Sequence, residues 1–208
     1  PKHVQLVAVS KFHPAEAVTE AYAEGQRVFG ESRVQELLPK HDALPGDIEW
    51  HFIGTLQRNK VKYIAPFVSL IHSVDNAKLL KEVNKQAAKN NRVIDCLLQM
   101  HVAAEETKFG FLPQEFEEFL ASADFAELKN VRVVGIMGMA SNTDDETRVR
   151  SDFKTLKSIF DKAKATAFAG KDYFNTLSMG MSGDYEMAIE EGSNMVRIGS
   201  AIFGARQY

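Results

Sequence analysis

A single cysteine, Cys96, stands in a chain of 208 residues, which excludes an intrachain disulfide framework and any CxxC-type metal site. Excess charge is scarce: 25 Lys and Arg against 28 Asp and Glu leave a net charge of -3, with no basic block. That balance gives no electrostatic case for nucleic acid or an anionic membrane as partner. No apolar stretch approaches the ~20 residues needed to span a bilayer, and no signal peptide opens the chain. The cytoplasm is therefore the expected compartment. No Pro/Ser-rich linker or low-complexity segment divides the chain, so residues 1–208 read as one domain. Paired metal ligands, an ordered Ser-His-Asp set and a GxGxxG motif are missing as well. Cys96, inside the apolar run 93–98, is expected to be a buried structural thiol.

What is present is a rhythm. With 45% hydrophobic residues the composition is ordinarily globular, and apolar strand-like runs alternate with helix-period segments almost end to end. Strands are expected at residues 4–11, 27–30, 49–53, 68–72, 93–102, 131–137, 173–177 and 195–198. Between them lie helical patterns: one after Pro14 with Val18, Ala21 and Tyr22 on a face and Gly25 as stop, and one carrying Val34, Leu37 and Leu38. Others span 59–64, 76–90, a stretch opened by Pro113, 144–168, 185–190 and 200–203. Asp144, Asp145 and Glu146 read as charges at a helix start. Asn59 reads as a helix cap. Eight strand-then-helix units indicate a parallel α/β protein, and the count favours a closed (β/α)8 TIM barrel over an open doubly wound sheet.

In a barrel, chemistry sits in the loops after the strands, at their carboxyl ends. Lys11 ends the first strand there. Such a lysine is either solvent-facing or a desolvated amine of lowered pKa able to act as a nucleophile. The segments Ser178-Met179-Gly180-Met181-Ser182-Gly183 and Arg197-Ile198-Gly199-Ser200-Ala201-Ile202-Phe203-Gly204 follow strands seven and eight. Their glycines and serines suit either tight turns or an anion cradle, and both fall at the loops barrels favour for phosphate. Arg197, if inward, can contact a ring nitrogen or a carboxylate; if outward, it packs its stem on a helix. His51 reads as a hydrogen-bonded core histidine. Gly30-Glu31-Ser32-Arg33 adds small and polar residues at the same rim, with Ser32 also readable as a helix cap. A rim lysine with a double anion loop suits a ligand bearing a carbonyl and a phosphate. Pyridoxal 5'-phosphate (PLP) meets both requirements, and so does the sugar phosphate of a Schiff-base aldolase.

The runs Leu6-Val7-Ala8-Val9-Ser10-Lys11, Phe29-Gly30-Glu31-Ser32-Arg33-Val34-Gln35-Glu36, His51-Phe52-Ile53-Gly54-Thr55-Leu56-Gln57-Arg58-Asn59-Lys60, Ser178-Met179-Gly180-Met181-Ser182 and Val196-Arg197-Ile198-Gly199-Ser200 together resemble the pyridoxal phosphate homeostasis (YggS/PROSC-like) family. The match runs in order over nearly the whole chain. It implies a single barrel of the alanine racemase N-terminal-domain type, with PLP held on Lys11 as a Schiff base. It implies phosphate contacts at Ser178, Ser182, Gly199 and Ser200, and places Ser32 and His51 among the cofactor-binding residues. Arg197 would approach the pyridine nitrogen, disfavouring its protonation and weakening the ring as an electron sink.

The resemblance therefore implies PLP binding and supply to apo-enzymes, without catalytic residues or metal, by a monomer. A PLP-dependent racemase-like enzyme is the alternative; it needs a second base from a further domain. Two departures stand out. Ser32 replaces the family's usual Asn, shortening one polar arm near the ring, and the chain starts at Pro1 almost directly on strand one. Relatives carry a further helix before that strand, so a trimmed chain is expected.

Overall fold

The computed structural model describes residues 3–107 and 109–206. Eight parallel strands run in sequence order around a closed barrel: β1 (Gln5–Val9), β2 (Val28–Glu31), β3 (Glu49–Phe52), β4 (Leu70–Val74), β5 (Ile94–Gln99), β6 (Val131–Met137), β7 (Thr176–Ser178) and β8 (Met195–Ile198). β8 returns to β1, with Val7 opposite Arg197. The connecting helices are α1 (Ala15–Ala23), α2 (Val34–Ala43), α3 (Val61–Ile64), α4 (Ala77–Lys89), α5 (Pro113–Leu120), α6 (Ala123–Ala126), α7 (Glu146–Ala165), α8 (Tyr185–Glu190) and α9 (Ser200–Phe203). This is the expected (β/α)8 TIM barrel. Among the described residues no helix is long and apolar enough to cross a membrane.

Alternation along each strand sorts side chains into two layers. Val7, Val28, Leu70, Leu97, Val134, Met137 and Met195 fill the barrel. Ala8, Phe29, Trp50, Phe52, Ile71, Leu98 and Leu177 face outward and pack with helix residues such as Val18, Leu37, Leu79 and Phe153. Each fully buried Phe there contributes roughly 1.5–3 kcal/mol by leaving water. Phe168 stacks on Phe174 with ring centroids 4.0 Å apart, closing the base of the α7–β7 connection. Cys96 is buried in this outer layer, and burial pushes its thiol pKa up.

One glycine shapes the wall. An ideal Cβ on Gly135 would lie 1.7 Å from the Thr176 carbonyl oxygen, so only glycine lets β6 and β7 approach there. The same stretch carries a register shift against β5, after which Met137 points inward to the cavity.

Several boundaries differ from the sequence expectation, each for a local reason. β4 begins at Leu70, because the Phe67 and Val68 amides turn back to the Ile64 carbonyl. β5 ends at Gln99; beyond it Met100 only bridges Phe111. β7 is Thr176–Ser178, since Phe174 N–H bonds to Lys171 O in a preceding turn. Asn59 lies inside a 3-10 turn, Arg58–Lys60, and does not cap it. Ser32 does not cap α2, whose cap position is Arg33. The helix α6 was not foreseen; Ser122 caps it by accepting from Phe125 N–H. Asp145 caps α7, accepting from the Thr147 and Arg148 amides.

Candidate functional site

The carboxyl ends of the strands open on a cavity of about 550 Å³. Lys11, Ser32, Ser182, Arg197, Gly199 and Ser200 line it together with Val9, His13, Ile53, Gln99, Met137 and Arg206. A neighbouring hollow of about 800 Å³ shares Gln99, Phe109, Met139, Met181 and Gly183 with it.

Lys11 reaches the cavity because alternation continues past the end of β1. Val7 and Val9 face inward, Ala8 faces outward, and Ser10 follows Ala8 toward α2. Lys11 is half-buried, and its pKa is lowered, first by desolvation, then by the Arg206 and Arg197 charges. Glu31 and Glu36 oppose that shift. The amine is thus less basic than a surface lysine, which raises its neutral fraction.

A charged clamp holds the turn that carries it. The Lys40 ammonium donates to Glu31 Oε1 at 2.5 Å and to the Ser10 carbonyl at 3.0 Å. Ser10 Oγ donates to the same Glu31 oxygen at 2.8 Å. Glu31 is fully buried, its Oε2 has no hydrogen-bond partner, and burial raises its pKa against the pull of Lys40. Phe12, next to Lys11, has φ +65°, a strained value for a bulky side chain. Its N–H donates to Glu36 Oε2 at 2.9 Å, and the Arg33 guanidinium lies over its ring. The clamp therefore fixes both sides of Lys11.

Across the cavity, backbone amides converge. Gly199 N–H and Ala201 N–H both point at Ser182 Oγ, at 3.3 and 3.4 Å. These long contacts mark a corner shaped for an oxygen that accepts from several donors. Gly180 makes the incoming loop possible: its φ is +103°, and a Cβ would lie 2.7 Å from Ala188 Cβ. Asp184 Oδ1 accepts from Met181 N–H and ties the loop to α8.

Arg197 is inward and buried, which lowers its pKa to about 10. It donates to the Ser178 hydroxyl and to the Gly138 carbonyl. Ser178 Oγ lies 3.1 Å from His72 Nδ1, and His72 Nε2 lies 2.9 Å from His51 Nδ1. Burial holds both imidazoles neutral: His51 is lowered to about 3, and His72 well below its ordinary value by burial, then His51 and Arg197.

Of the residues singled out from sequence, Lys11, Ser32, Ser182, Arg197, Gly199 and Ser200 meet at one cavity. His51 and Ser178 do not. The Ser178 hydroxyl is fully buried beneath Arg197, because Ser178 is an inward residue of β7 itself and not part of the loop after it. His51 lies deeper still and lines a hollow of about 290 Å³ that Glu49, Asp95 and Asn175 also line. Sequence reading missed His72, Lys40 and Arg206. The only signal for His72 was a histidine two residues after Leu70 in a strand-like run.

A closed parallel barrel with a low-basicity lysine facing an amide corner at its carboxyl rim defines an alanine racemase-type barrel. The chain belongs to the family described as "Alanine racemase, N-terminal domain", which it matches over residues 1–207, and within it to the pyridoxal phosphate homeostasis proteins. It is 44% identical over 205 residues to the "Pyridoxal phosphate homeostasis protein" of Aquifex aeolicus, covering 98% of this chain and 88% of the relative. PipY of Synechococcus elongatus, solved with PLP bound, superposes with a TM-score of 0.87 at 34% identity, covering 98% of this chain and 94% of PipY. The alanine racemase of Streptomyces lavendulae shares the fold at 19% identity and a TM-score of 0.75, covering 98% of this chain and 56% of the racemase.

Proposed function

We propose that this protein binds PLP on Lys11 and serves in PLP homeostasis, holding and supplying the cofactor. The observation that carries this reading is that one cavity presents a lysine of lowered basicity, an amide corner and an inward arginine. PLP, when bound, supplies an aldehyde that condenses with an amine and a phosphate that needs donors. The residues present fit it: about 550 Å³ lies within the usual range of small-ligand sites. Lys11 Nζ, unprotonated, attacks the aldehyde carbon; the carbonyl oxygen leaves as water, and a Schiff base links the two. Ser182, Gly199 and Ser200 hold the phosphate, with Ser32 on the ring side. His51 and Ser178, first read as direct contacts, act in this reading from below the ring through Arg197.

Arg197 decides the character of the site. A guanidinium only donates, so it pairs with an unprotonated pyridine nitrogen and leaves the ring a poor electron sink. Such a ring supports storage better than carbanion chemistry. The relatives' name, homeostasis protein, supports the same reading. In it the chain acts as a cytoplasmic monomer that passes PLP to apo-enzymes.

Absorbance tests the proposal. The visible band of lysine-linked PLP is expected in the parent and absent in Lys11→Ala, and borohydride should fix the label on the peptide containing Lys11. A band that survives Lys11→Ala sinks the assignment. Exchange of the Cα proton of an added amino acid, lost in Lys11→Ala, would support the racemase-like reading instead.

A further inference from the structure

One polar line crosses the otherwise apolar filling of the barrel. Val7, Leu70, Leu97, Val134 and Met195 are its apolar surroundings, while His51, His72, Ser178 and Arg197 form a continuous hydrogen-bonded chain. Arginine can only donate, and that fact directs every proton in the line. Ser178 Oγ accepts from Arg197, so its single hydrogen goes to its other neighbour, His72 Nδ1. Neutral His72 then carries its hydrogen on Nε2 and donates to His51 Nδ1. His51 in turn carries its own hydrogen on Nε2. The reverse arrangement would leave the hydrogen of a fully buried hydroxyl without an acceptor.

Among the described residues no carboxylate forms an ion pair with Arg197; neutral acceptors hold it on both sides. That matters chemically. A carboxylate behind the guanidinium would offset its charge, whereas a histidine–serine chain orients it and leaves the charge undiminished.

We infer that His72, and His51 through it, are positioning residues for Arg197: they lock the Ser178 hydroxyl as its acceptor and so fix the guanidinium at the ring nitrogen of bound PLP. The inference rests on the PLP reading above. It extends the functional unit from the rim cavity to the hollow lined by His51, through residues that do not line the cavity itself.

The test uses the PLP-loaded protein and three variants, His72→Leu, His72→Asn and Ser178→Ala. His72→Leu and Ser178→Ala should each weaken PLP about ten-fold, the equivalent of one lost charge-assisted hydrogen bond, and shift the visible band or its pH dependence. His72→Asn, whose Oδ1 can accept from Ser178, should restore both. Nitrogen-15 NMR of labelled histidines should find the Nε2–H form at both His51 and His72. A proton on His72 Nδ1 would overturn the inference. Parental affinity and spectrum in both His72→Leu and Ser178→Ala, with unchanged circular dichroism, would also overturn it. Weakened binding in all three variants with an unshifted band would mark simple packing and reject the positioning role. If His72→Leu does not fold, Ser178→Ala carries the affinity and band test alone, since it removes one oxygen only. Absence of a Lys11-dependent band in the parent would overturn the PLP reading itself, whereas a parental band insensitive to the variants rejects only the inference.

Discussion

Two buried polar groups support the site, and they are built on opposite principles. Behind Lys11, Lys40 and Glu31 form a charged pair at 2.5 Å, with Ser10 as third partner. Behind Arg197, two neutral histidines and a serine form a chain with no counter-charge. A buried ion pair gains little over an apolar filling, because desolvation offsets the attraction, yet losing one partner strands a charge. A neutral chain strands only a donor or acceptor, at smaller cost. The clamp therefore fixes a loop at the risk of large loss. The chain aims a side chain while leaving its charge intact.

Removal of one clamp charge is the strongest way to break this contrast. Lys40→Met should destabilise the protein by about 3–5 kcal/mol in urea unfolding, less at acid pH where Glu31 takes a proton. The double variant Glu31→Leu with Lys40→Met should recover most of that loss. A single-variant loss below about 1 kcal/mol would show that the pair does not hold the loop.

Acid titration should sharpen the other side. His51 and His72 have folded pKa values below the unfolded value of about 6.5, so the unfolded chain binds more protons below that pH. Their contribution is complete above about 6.5 and is lost as pH falls toward the folded values, at up to about 1.4 kcal/mol per pH unit for each histidine. Unfolding free energies measured between pH 7.5 and 5 should show a shallower slope in His72→Asn. Equal slopes would mean that His72 is not buried neutral.

The smallest effect belongs to Ser10→Ala. It removes one hydrogen bond to Glu31 and should cost about 1.5 kcal/mol, read from the denaturation midpoint. A neutral outcome would reduce the clamp to its ion pair alone.

The barrel was legible because its outward residues alternate so regularly: Trp50 and Phe52, or Ile71 between Leu70 and His72, declare a period of two. Boundaries blurred where apolar residues serve turns. Tyr173 and Phe174 look like strand, yet the turn closed by Phe174 uses them to pack against the core. Lys11, Arg197 and the two glycine-serine loops could be found because charged or flexible residues are unusual beside apolar runs. The supporting groups could not. Lys40 sits between Pro39 and His41 on a helix, where a lysine is ordinarily exposed. His72 gains its meaning from Ser178, 106 residues away, and from the sheet register that brings three strands together. Ser178 itself was displaced by a boundary: taken as the start of a loop it faces a ligand, but as the last residue of β7 it faces the barrel axis.

The pairing of β1 with β8 has a temporal consequence. Lys11 follows the first strand and Arg197 belongs to the last, and the two strands meet only where Val7 lies opposite Arg197. On the ribosome, Lys11 emerges long before its pocket can exist, since the far wall is the last strand synthesised. The site is thus the seam of the barrel, assembled by the most sequence-distant pairing in the sheet. A ligand seated across that seam binds only the closed form, so it acts as a clasp on folding itself.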